Sequence, residues 1–281
     1  MLDESSLFKK VIQEIEKTGF PLEMRVAEML RMRGYLVTHS LYYIDEDENK
    51  SREVDLRAIN NYEFVVDEDS YYVRNCLLIE CKKSESRPWV ILSSQKEVYD
   101  LSYETVPHLP SRRFIDRSDY DILEEIHPFG KYLLRGRSYF EAFKSNESGE
   151  MIFKAITTAV KATLYTMKKR FAAGDNSICF YYPIIVFDGV LYQATLCDGK
   201  ISTEEVDSLL LTFLYESSPY INGQFTVPIL KEKALPMFLE GLEKSLLEYG
   251  KIAERKAHQA FKRVEEKRRL KEPYVRRPRR A

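Results

Sequence analysis

Apolar positions recur along this chain with two different periods, and the switches between them mark out its elements. Residues 4–17 read as a first helix, broken at Gly19 and restarted at Pro21, a residue suited to a helix's first turn. Leu22, Val26, Met29 and Leu30 then repeat at helical spacing up to Gly34, where a left-handed cap is expected. Beyond Gly34 the period shortens to two. Runs at 35–44, 52–59 and 76–82 read as strands, separated by the acidic turn at 45–50 and by a polar link containing Asp67-Glu-Asp-Ser.

Residues 102–150 mix Pro, Ser, charged and aromatic residues without sustained periodicity, so they read as an insertion with short helices. Helical spacing returns over 151–171, where Ile152, Ala155, Ile156, Ala159, Ala162, Thr163 and Met167 form a sheet-facing stripe. Runs at 178–187 and 190–196 are rich in β-branched and aromatic residues, and Asp188-Gly189 between them reads as a hairpin turn. A last strand is expected at 224–230 and a covering helix at 231–249, with Leu235, Phe238, Leu242 and Leu246 on one side. The order predicts an α/β fold: a central mixed β-sheet flanked by helices, with residues 1–250 as one domain.

Composition adds a charge asymmetry. The formal net charge of -1 conceals a terminal segment, 251–281, holding 13 Lys/Arg against 4 Asp/Glu. This segment is helix-compatible to about Leu270 and reads as a basic helical or disordered tail, able to contact phosphates or simply to remain solvated. No run approaches the roughly 18 apolar residues that would span a bilayer, and the N-terminus lacks signal-peptide regions, so a cytoplasmic protein without membrane contact is expected. The 4 cysteines contain no CxxC pair and the 4 histidines lie far apart, which argues against a structural zinc site.

Candidate chemistry concentrates in three segments. In Cys76-Leu-Leu-Ile-Glu-Cys-Lys-Lys an apolar strand ends in charge, and strand periodicity puts Glu80 and Lys82 on one face. A carboxylate can hold a divalent cation while a lysine beside it orients or deprotonates the attacking water, a division of labour suited to phosphodiester hydrolysis. In the preceding strand Val54, Leu56 and Ala58 share one face, leaving Glu53, Asp55 and Arg57 on the other, where Asp55 can face Glu80. Hard carboxylates on adjacent strands suit Mg²⁺, with Mn²⁺ as a substitute. Glu23 sits at the border of its helix's apolar stripe, from which it can reach over the sheet, whereas Glu28 is displaced toward solvent.

The order of these features resembles the PD-(D/E)xK superfamily, in particular the restriction-endonuclease-like folds of Mrr-type enzymes and archaeal Holliday-junction resolvases. The matching residues are Glu23 through Gly34-Tyr35, Glu53-Val-Asp55-Leu and Leu78-Ile-Glu80-Cys-Lys82-Lys, with Pro88-Trp89-Val-Ile also similar. The resemblance covers residues 19–92 and lacks the usual proline before the second-motif aspartate. It implies a restriction-endonuclease-like core in which Asp55 and Glu80 bind metal, Lys82 serves catalysis and Glu23 supports the metal or its water. Gln95 and Tyr99 form a QxxxY spacing that resembles a motif of RecB-like nucleases. Trp89 reads as a core or strand-edge anchor rather than a base-stacking platform.

These features lead to the expectation of a Mg²⁺-dependent DNA endonuclease of defence, restriction or repair. Dimerisation is implied by resemblance only. Two alternatives stay open: a catalytically silent module that keeps the fold to bind nucleic acid or protein, and a ribonuclease, since such a site handles phosphate rather than sugar.

Overall fold

The computed structural model describes residues 4–94, 135–143, 151–173, 177–216 and 223–271. It contains an eight-stranded mixed sheet with helices on both faces. Helices α1 (Glu4–Glu16) and α2 (Phe20–Met32) lead into β1 (Leu36–Asp45), β2 (Lys50–Val66) and β3 (Asp69–Ser94), an antiparallel meander. Strand β4 (Arg135–Glu141), helix α3 (Met151–Ala173), strands β5 (Ser177–Cys197), β6 (Lys200–Glu205), β7 (Ser208–Tyr215) and β8 (Gly223–Leu230), and helix α4 (Leu235–Lys271) complete the order. Gly34 ends α2 at φ 82, as its cap position requires.

One face of the sheet is covered by α2 and α4. Leu22, Val26 and Leu30 of α2 and Leu235, Leu239, Leu242 and Leu246 of α4 close over Leu56, Ala58, Leu77, Ile79 and Ile184. Asn75, buried in this layer, donates from Nδ2 to the Leu242 carbonyl at 3.1 Å, and Tyr249 stacks on Phe180 with ring centroids 4.4 Å apart. Helix α3 covers the other face, with Ile152, Ala155, Ile156 and Val160 against Trp89, Ile185 and Phe187, and Ala162 against Leu78. Helix α4 does not stop near residue 249. It continues to Lys271, and Ile252, Ala253 and Ala257 are buried, so the start of the basic segment is part of the packed fold.

The expected hairpin at Asp188-Gly189 is corrected. Strand β5 runs straight through this pair and lies parallel to β3 over most of its length, from Tyr72↔Ser177 to Ser93↔Thr195. The run 178–187 is buried throughout, on both faces, which is the signature of a central parallel strand rather than an arm of a surface hairpin, and the run 190–196 carries on from it, partly buried, in the same strand. Gly189 serves close approach. A Cβ there would lie 2.7 Å from the Ser84 carbonyl oxygen, at the register shift between Ser84 and Trp89. The two-residue turn is ten residues later, at Asp198 (φ 50) and Gly199 (φ 74), closed by the Cys197↔Lys200 pair.

Two further strands, β6 and β7, occupy 200–215, where the pattern reading assigned none. Within the expected insertion, Arg135–Glu141 returns to the sheet as β4, antiparallel to β3 and parallel to β7. The pairings β3–β4, β4–β7, β7–β8, β8–β5 and β5–β3 form a closed circuit in this half of the molecule. Trp89 is fully buried there and stacks on Phe187 at 4.0 Å, an anchor as expected. No helix among the described residues is long and apolar enough to cross a membrane.

Candidate functional site

Strands β2 and β3 share a ladder whose last pair toward this end is Leu56↔Ile79; beyond it the strands separate, and the charged residues of both lie in the gap. Asp55 is one residue past the last pair on β2, and Glu80, Cys81 and Lys82 follow it on β3. Separation frees the backbone N–H of Cys81, which donates to Asp55 Oδ2 at 2.7 Å. Lys82 Nζ then lies 2.5 Å from Glu80 Oε2, 3.2 Å from Asp55 Oδ2 and 3.2 Å from the Cys81 carbonyl oxygen.

Burial grades the three groups. The side chain of Glu80 is 4% exposed, against 19% for Asp55 and 26% for Lys82, so Glu80 forms the floor and the other two open outward. Burial pushes the Glu80 carboxyl up to about 8; the Lys82 charge opposes the shift and Asp55 adds to it. Its Oε1 atom is buried without a hydrogen-bond partner. For Lys82, burial favours the neutral amine, but the charges of Glu80 and Asp55 and its bonds to them outweigh that effect and hold it as an ammonium.

Above this floor is an open cleft of about 550 Å³, lined by Glu23, Asp55 and Lys82 together with Gly19, Lys17, Lys83 and Glu85. Glu23 comes from the first turn of α2, a half-buried position at the edge of the helix's apolar stripe. Burial, then the neighbouring Asp55, raises its carboxyl above the ordinary value, with Lys82 opposing. Glu28 is exposed on the far side of the same helix. The first residue of α3, Met151, also lines the cleft, and the next backbone N–H, that of Ile152, donates to the buried Glu141 carboxylate of β4 at 3.2 Å. Two helix starts therefore border the same opening, that of α3 capped by the Glu141 carboxylate and that of α2 closed on the Gly19 carbonyl, which accepts from the Leu22 and Glu23 N–H groups.

The structure thus brings Glu23, Asp55 and Lys82 to the wall of one cleft, with Glu80 buried behind them and held to it through Lys82. Gln95 and Tyr99 lie outside the described residues. The lysines at 17 and 83 were not anticipated: Lys83 points to the cleft although it adjoins Lys82 in sequence, and Lys17 arrives from the end of α1. The 4 cysteines are free thiols, three of them buried.

Comparison with family models, with curated proteins and with solved structures finds no match for this chain.

Proposed function

We propose that this chain is a Mg²⁺-dependent nuclease that hydrolyses DNA phosphodiester bonds, built on the restriction-endonuclease-like plan its motif order resembles. The observation that carries the reading is the convergence of Asp55, Glu80 and Lys82 at the floor of a polar cleft, with Lys82 Nζ 2.5 Å and 3.2 Å from the two carboxylates. Lys17 and Lys83 rim the cleft but are paired with Glu14 at 2.7 Å and Glu85 at 3.0 Å, so an anionic substrate would depend on a cation held by Asp55 and Glu80 to offset the cleft's carboxylates.

The residues fit a small hard cation. Among the described residues no three His, Cys, Asp or Glu side chains group as a metal cluster, but Mg²⁺ needs only one or two carboxylates when water and substrate phosphate complete its shell. Asp55 and Glu80 would hold it, with the Cys81 carbonyl as a third oxygen, and the unpartnered Glu80 Oε1 is a buried acceptor in want of such a partner. Bound there, Mg²⁺ supplies Lewis-acid polarisation of the phosphate and acidifies its water; Mn²⁺ can replace it. Lys82, kept charged by its carboxylates, donates hydrogen bonds to a phosphate oxygen or the attacking water rather than removing a proton. Glu23, facing the cleft from α2, orients that water. Exposed Lys262, Arg263, Lys267 and Arg268 on α4 offer sequence-independent phosphate contacts. A homodimer would let two such sites cut both strands.

A second reading has its own observation. The Lys82 ammonium already neutralises both carboxylates, an arrangement that also suits a silent module retaining the fold to bind nucleic acid or protein. Incubating plasmid, linear duplex, single-stranded and branched DNA, and RNA, with Mg²⁺ or Mn²⁺ separates the readings. Cutting that Asp55→Ala and Lys82→Ala both abolish supports the nuclease, with preference for RNA making it a ribonuclease. No cutting of any substrate by the folded chain would sink the enzymatic reading.

A further inference from the structure

The sheet face under α3 has a second concavity, at the opposite end of that helix from the cleft, and the proposed cleavage makes no use of it. It holds about 300 Å³, small for a duplex but within the range of small-molecule pockets. Its walls come from five elements: Tyr42 of β1, Arg57 of β2, Arg74 of β3, Tyr181 of β5, and Tyr165 and Lys169 of α3. Three cations and three phenol rings thus surround one space, and no carboxylate is among its described lining residues.

The cations are prepared for an anion. Arg57 donates from Nη2 to Thr38 Oγ1 at 3.3 Å, while its Nε is buried with no acceptor at all. A buried guanidinium donor left unpaired is unfavourable in a finished interior, and it points to an acceptor supplied from outside. Arg74 donates from Nε to Asn61 Oδ1 at 3.1 Å and covers the Tyr72 ring at 4.4 Å. The Lys169 ammonium rides 4.9 Å from the centroid of Tyr165, a contact that holds the charge at the pocket without cancelling it. The neighbouring pocket at β1 shows the contrast. There Lys161 is clamped by Asp45 at 2.8 Å and Asp47 at 3.0 Å, so its charge is already consumed.

We infer that the Arg57–Arg74–Lys169 pocket binds a phosphate-bearing aromatic ligand the size of one nucleotide, its phosphate on the cations and its base against a tyrosine ring. Guanidinium groups match phosphate oxygens in geometry as well as charge, and base-on-ring stacking tolerates any base. Phosphate alone would leave most of the space and all three rings unused. The pocket and the cleft share no lining residue, although Arg57 and Asp55 are near neighbours on β2, and along α3 they take opposite ends, Lys169 and Met151, about 27 Å apart, so the pocket is a distinct space and this inference does not rest on the cleavage reading. The ligand's two possible sources, a free mononucleotide and the phosphorylated end of a strand, share this chemistry.

The test is titration calorimetry of the full chain without divalent metal, using AMP, GMP, CMP, UMP, a 5′-phosphorylated trinucleotide and inorganic phosphate. At least one nucleotide is expected to bind more tightly than phosphate. Arg57→Gln and the surface change Lys169→Glu should each weaken it about tenfold or more, and Asp55→Asn in the cleft should leave it unchanged. Melting curves of each variant establish that it is folded, and Lys169→Glu, at an exposed position, stands even where Arg57→Gln does not fold. Tighter binding of the trinucleotide assigns the site to a strand end, and equal binding to free nucleotide. Binding that survives both pocket variants, phosphate bound as tightly as any nucleotide, or no heat from any ligand at millimolar concentration each overturns the inference.

Discussion

The Cys81 backbone N–H and the Asp55 carboxylate are joined at 2.7 Å just beyond the last ladder pair of β2 and β3, so one side chain both closes a gap in the sheet and presents charge to the cleft. The two roles can be separated. Asp55→Asn keeps an oxygen for the Cys81 N–H and should hold stability within about 1 kcal/mol, whereas Asp55→Ala leaves that N–H without its acceptor and should cost about 1–3 kcal/mol in denaturant titrations. Cleavage, if the proposed chemistry holds, disappears in both.

Glu80 gives the metal-free protein a particular response to pH. Its carboxyl is pushed up to about 8 in the fold from an ordinary value of 4.5. Below pH 4.5 it is protonated folded and unfolded alike and contributes no slope. Between pH 4.5 and 8 the unfolded chain has released the proton that the folded chain retains, so stability falls as pH rises through this window and levels off above it. Glu80→Gln removes the contribution, and the difference in unfolding free energy between native and variant protein should shift against the native protein across that range. A pH-independent difference would show that Lys82 keeps Glu80 ionised throughout.

Gly189 is a position without room. A Cβ would meet the Ser84 carbonyl oxygen at 2.7 Å and the Phe187 ring at 2.4 Å, so Gly189→Ala should destabilise the protein by about 1–3 kcal/mol, read as a lowered Tm. A substitution tolerated without loss would mean that the β3–β5 contact is looser than described.

Trp89 is the only tryptophan, which makes fluorescence a direct report on its surroundings. Fully buried and stacked on Phe187, it should emit at short wavelength, resist iodide quenching and stay unchanged when DNA is added. Quenching by DNA would instead make it a stacking platform. Trp89→Ala should cost about 3–5 kcal/mol.

Alkylation under native conditions should label Cys197 first. Cys76, Cys81 and Cys179 are buried, and burial raises the Cys76 thiol to about 12 and moves Cys81 upward as well. Mass spectrometry after brief iodoacetamide treatment checks the order; early labelling of Cys76 would contradict its burial.

What could be read from the sequence was whatever local periodicity encodes. The stripe Leu22, Val26, Leu30 and the alternation Val54, Leu56, Ala58 report directly which side of each element is buried, and the burial is as read. From those faces it follows that Glu23, Asp55, Glu80 and Lys82 can meet. Continuity is harder to read. A buried parallel strand such as the first half of β5 has no polar alternation, so an Asp-Gly within it looks like a turn, while the true turn at Asp198-Gly199 is followed by the wholly exposed and mostly polar β6. The Arg57, Arg74 and Lys169 pocket leaves no local signature at all, because its cations come from separate elements and share neither a period nor a motif.

The long parallel pairing of β3 with β5 also sets an order of events. Cys81 lies opposite Val186, about a hundred residues later in the chain, whereas its neighbours on β2 are within about thirty. Hairpin contacts among β1, β2 and β3 close short loops and can form early, but the β5 contact must wait for a long closure. Asp55, Glu80 and Lys82 are therefore close in sequence and brought together by early structure, yet the burial that shapes their charges arrives only when β5 docks. In a growing chain the carboxylates and the lysine would first meet in water, and their electrostatic character would be conferred last.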